Sequence, residues 1–84
     1  MVKSVDISFE VLVLGNDRWE VKLVSANQGD ALAASVELAK KPGVKGVRVV
    51  REMFEHKTGL SFGRIVFEQV KETRARAVRA TSGG

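Results

Sequence analysis

The stretch from Ser25 to Gly43, SANQGDALAASVELAKKPG, constrains the fold more than any other part of this chain. It alone carries helix signals at both ends, and it separates two stretches with hairpin patterning. Ser25 with Gln28, or Asn27 with Asp30, supplies an N-terminal cap, and Asp30 sets a negative charge against the amide end of the dipole. Lys40 and Lys41 fill the last turn, Pro42 cannot extend the ladder, and Gly43 accepts the left-handed backbone that ends helices. At about 100° per residue, Ala31, Leu32, Ala34, Ser35, Val36, Leu38 and Ala39 share one arc opposite Asp30, Glu37, Lys40 and Lys41. Four of those seven are alanine or serine, so the helix is expected to approach a sheet closely.

The flanks read as strands. In residues 5–14, Ile7, Phe9, Val11 and Val13 alternate with polar positions, and Trp19, Val21 and Leu23 do the same in residues 18–25. Gly15, Asn16 and Asp17 form the turn between them. A three-residue loop predicts that Val13 faces Trp19, Val11 faces Val21, Phe9 faces Leu23 and Glu10 faces Lys22. Residues 46–55 and 61–70 form the second hairpin around His56–Leu60. Apolar residues occupy both parities there, so charge matching selects the register: Arg48 with Glu68, Glu52 with Arg64, Val50 with Val66 and Phe54 with Phe62. The helix-facing set is then Val47, Val49, Met53, Ile65 and Phe67, with Arg51 snorkelling to the rim.

The expected architecture is a single α+β domain over residues 1–70. It is a two-layer ββαββ unit with one mainly antiparallel four-stranded sheet and one helix on one face. Strand order 2-1-3-4 keeps every neighbour antiparallel, and order 1-2-3-4 is the alternative. One helix shields one face of such a sheet. The opposite face is expected to display Leu12, Leu14, Val50, Phe54, Phe62 and Val66, together with Val24, as a protein-contact surface.

Composition narrows the chemistry. The chain has 84 residues, no cysteine and one histidine, which removes disulfides, thiolate nucleophiles and cysteine-ligated metals. His56 is expected in an exposed turn without the partners that acid–base or metal work demands. Gly59 and Gly63 lack phosphate-loop spacing and precede a strand. Phe62 and Phe67 have opposite parity and Arg64 lies between them, which argues against the paired aromatic platform of RNA-recognition motifs. No enzyme, metal site, cofactor or small-molecule substrate is expected. No apolar run reaches the ~20 residues of a membrane span, and the N-terminus lacks signal-peptide character, so the expected location is cytoplasmic.

Of the net charge of +4, residues 71–84 contribute +3 through Lys71, Arg74, Arg76 and Arg79 against Glu72. That segment reads as a basic, flexible tail. Two functional expectations follow. The first is a non-enzymatic interaction module that forms a homodimer or docks on another protein through the helix-free face. The second is a nucleic-acid-binding accessory protein that uses the basic tail, with Lys40, Lys41 and Lys45 contributing.

Overall fold

The computed structural model describes residues 4–71. The chain runs β1 (Val5–Leu14), β2 (Trp19–Ser25), α1 (Gln28–Ala39), β3 (Gly46–Glu55) and β4 (Leu60–Val70). The strands form one antiparallel sheet in the order β2-β1-β3-β4, with α1 packed across β1, β3 and β2 on one face. This is the expected ββαββ two-layer fold. The central pair β1 and β3 holds one unbroken register from Val5 opposite Glu55 to Leu14 opposite Gly46. The alternative order needs a parallel pair between β2 and β3, which is slightly weaker per residue.

The helix starts at the second of its two candidate caps. The Asn27 side chain accepts a hydrogen bond from the Asp30 amide at 3.0 Å, and Ser25 Oγ accepts one from the Asn27 amide, shaping the entry. The helix stops at Ala39, earlier than Pro42 alone would require. Lys40 is the C-cap, with its amide directed at the carbonyls of Glu37 and Leu38, so Lys40 and Lys41 lie just beyond the last turn. Gly43 has φ of 88°, as its position after the helix anticipates.

Small residues set the spacing between the layers. Ala31 and Ser35 are wholly buried against the sheet, and Ser35 Oγ donates to the Leu32 carbonyl at 2.7 Å, so its hydroxyl is satisfied. Val11, Val47 and Val49 are excluded from solvent beneath them, with Phe9 and Val13 nearly so. Each such valine stabilises the fold by about 1.5–3 kcal/mol relative to exposure. Val36 departs from the expected arc and points to solvent.

Both edge strands carry a β-bulge, and the bulges overturn part of the expected register. Leu23 pairs with Val11 and Val21 with Leu12, which leaves Lys22 as the extra residue in β2. Phe67 pairs with Val49 and Ile65 with Val50, which leaves Val66 as the extra residue in β4. The loop between β1 and β2 has four residues, Gly15–Arg18, so Leu14 faces Trp19, Val13 faces Glu20 and Glu10 faces Val24. Arg48 faces Glu68 as expected. Below the bulge Met53 faces Phe62, Arg51 faces Arg64 and Glu52 faces Gly63.

The physical reason is visible in the core. Without the bulge, alternation would send one of Val66 and Phe67 outward, whereas both pack against the cluster of Phe9, Val11, Ala31 and Val49. The extra residue keeps both apolar side chains against that cluster, at the cost of one ladder position. Among the described residues no helix is long and apolar enough to cross a membrane.

Two substitutions test this account. Val49→Ala is expected to lower unfolding stability by about 2–3 kcal/mol, with an unchanged urea m-value. Asn27→Ala is expected to cost about 1 kcal/mol in the same measurement.

Candidate docking face

Directly paired residues in a sheet share a face, so the register defines the helix-free surface row by row. The first row holds Trp19, Leu14, Gly46 and Val70. The second holds Val21, Leu12, Arg48 and Glu68, and the third holds Val24, Glu10, Val50 and Ile65. Below them, where β2 has ended, come Ser8, Glu52 and Gly63, then Asp6, Phe54 and Ser61. The upper three rows form a largely apolar block on the reverse side of the sheet from α1. Its Val21, Val24, Ile65 and Val70, with Phe54 lower down, retain between 38% and 57% of their surface in water.

Of the six residues expected on this face, Leu12, Leu14, Val50 and Phe54 lie on it. Phe62 and Val66 do not. The β4 bulge turns Phe62 to the same side as Met53 and draws Val66 toward the core. The same shift puts Phe62 and Phe67 on one side, contrary to their parity, but Phe67 packs against the core cluster while Phe62 is exposed. The face gains Trp19, Val21 and Ile65, which plain alternation assigned to the core. Runs of adjacent apolar residues do not signal the bulges, because β1 holds Val11 through Leu14 and still pairs with β3 in one unbroken register.

Trp19 anchors the top of the block. A Cβ at Gly46 would come within 3.3 Å of the indole and 3.1 Å of the Gln69 carbonyl, so glycine there lets the ring lie close to the strand. The Arg48 guanidinium sits 4.0 Å from the centre of the Trp19 ring and donates through Nη2 to Glu68 Oε2 at 3.0 Å. Among the described residues, the buried Arg48 Nε has no hydrogen-bond partner. The guanidinium is thus held between an indole and a carboxylate, and its charge is neutralised inside the apolar block.

At the opposite end His56 departs from its expected isolation. Its Nε2 lies 2.7 Å from Asp6 Oδ2, and its ring meets Phe54 edge-on at 4.9 Å. The pair ties the β3–β4 turn to β1. No group of three His, Cys, Asp or Glu among the described residues could hold a metal ion. Lys40, Lys41 and Lys45 surround the exposed connection from α1 to β3, and Lys71 donates its amide to the Lys45 carbonyl at 2.8 Å. Arg74, Arg76 and Arg79 lie outside the described residues.

The helix side of the sheet has an uncovered portion of its own. At about 1.5 Å per residue α1 is roughly 18 Å long, whereas ten-residue β3 extends roughly 33 Å. From the row of Phe9, Arg51 and Arg64 downward, the strands β1, β3 and β4 continue as a wing on which Ile7, Phe62 and Leu60 are exposed. Arg51 and Arg64 face each other directly, and neither forms an ion pair with any described residue.

Like charges opposed across strands are destabilising. Arg64→Glu is therefore expected to raise unfolding stability by about 0.2–1 kcal/mol, read as a higher urea midpoint. Comparison with known proteins finds no family model that matches this chain, and no curated protein or solved structure that resembles it.

Proposed function

We propose that this chain is a non-enzymatic protein-interaction module of the cytoplasm that uses its helix-free face to bind a second copy of itself or another protein. The observation that supports this reading is the three-row apolar block around the Trp19, Arg48 and Glu68 stack. The largest contiguous apolar patch on a small protein is often functional. With strands about 4.8 Å apart and the seven residues of β2 rising about 3.4 Å each, the block outlines roughly 19 by 24 Å. That is toward the small end of specific interfaces and suits a transient complex. The aromatic and arginine at its top are the residue types that most often dominate binding energy.

A second reading rests on charge. Lys71, Arg74, Arg76 and Arg79 give residues 71–84 a net +3, which suits a nucleic-acid phosphate backbone. Binding of that kind weakens steeply with salt and is lost when residues 71–84 are removed. Docking through the sheet survives the same truncation.

Light scattering at two protein concentrations tests the first reading. The wild-type chain is expected to gain mass with concentration, and Val50→Glu is expected to stay monomeric while still melting cooperatively. If Val50→Glu assembles as the wild type does, the helix-free face is not the contact.

A further inference from the structure

Building on the docking reading above, we propose that the occupant of the helix-free face is the basic wing of a second copy, so that copies associate head to tail. The sheet is electrostatically two-sided. On β1, β3 and β4 the helix-free face carries Asp6, Glu10, Glu52 and Glu68 against Arg48 alone. The wing on the other side carries Arg51 and Arg64 against Glu55, whose carboxylate already accepts from Thr58 Oγ1 at 2.8 Å.

The groups left over are complementary. Arg48 takes Glu68, and Asp6 holds His56, but Glu10 and Glu52 form no ion pair with any described residue. Arg51 and Arg64 are in the same position on the wing. Apolar groups accompany the charges on both sides: Val50 and Ile65 near Glu10 and Glu52, and Met53, Phe62 and Ile7 near the two arginines. Two copies stacked face to face by their helix-free surfaces would set carboxylates against carboxylates. A wing laid on that surface sets guanidinium against carboxylate and buries apolar area on both partners.

The contact uses different patches on the two copies, so each added copy presents a fresh wing and a fresh face. The assembly is heterologous: a ring if the rotation closes, an open stack if it does not. The wing spans three strands and about five residues of each, roughly 14 by 17 Å, so association belongs at high protein concentration.

Reciprocal charge reversal tests the proposal. One full-length variant carries Arg51→Glu and Arg64→Glu, and the other carries Glu10→Lys and Glu52→Lys. Light scattering is read for each alone and for the equimolar mixture, with circular dichroism and thermal melting confirming that both fold. Wild type is expected to form species beyond the dimer as concentration rises. Each variant alone is expected to associate roughly a hundredfold more weakly, because like charges then meet across the contact. The mixture is expected to recover assembly. If the arginine variant associates as wild type does while the glutamate variant does not, the wing is not the occupant and the proposal falls, although the helix-free face remains the docking surface. If Val50→Glu also leaves association intact, the docking reading fails with it. A wild-type chain that stays monomeric at every concentration overturns the head-to-tail contact.

Discussion

The close approach of one small-faced helix to a ladder of valines is the contact on which the rest of this fold depends. Ala31 and Ser35 carry too little side chain to hold α1 away from the sheet, so Val11, Val47 and Val49 lose all contact with water. A chain this short buries a smaller share of its surface than a large domain does, so each fully enclosed side chain carries much of the stability. The layer is also narrow. Twelve residues of helix cannot roof ten-residue strands from end to end, and one helix cannot roof both faces. Among the described residues, the helix-free reverse face and the wing beyond the helix are both consequences of that one shortfall.

Strand order and helix placement could be read from the residues because their signals are local and mutually consistent. Asn27 with Asp30, Pro42 with Gly43, and the alternation of Phe9, Val11 and Val13 all point to the same arrangement, and antiparallel neighbours follow from the connections. The faces of the edge strands could not be read the same way. Period-two reasoning carries a strand's facing from end to end, and one extra residue reverses everything beyond it. Plain alternation sets Trp19 and Val21 on the same side as Leu23, and Phe62 and Val66 on the open surface. Arg48 with Glu68 was assigned correctly because that pair lies on the near side of the β4 bulge. Leu12, Leu14, Val50 and Phe54 were safe because β1 and β3 pair without interruption.

Charge distribution within the sheet follows the same geometry. Uninterrupted alternation in β4 would have set Arg64 opposite Glu52, one neutral pair on the outer face. The bulge instead delivers Arg64 to the side of Arg51, leaving Glu52 beside Gly63. On β1, β3 and β4 the acidic groups then outnumber Arg48 on the helix-free side, while Arg51 and Arg64 outnumber Glu55 on the other. These three strands thus carry an excess of opposite sign on their two sides, which net charge does not reveal.

The two bulges also bear on how such a chain tolerates change. They sit at the same level, on either side of the row that joins Leu23, Val11, Val49 and Phe67. Loss of a single codon in either edge strand would therefore act as an inversion, exchanging inner and outer side chains along half its length while leaving hydrophobic content almost untouched. Insertions and deletions in these two short stretches should be far more disruptive than substitutions there, whereas the four-residue turns at the hairpin tips are the places where length can drift.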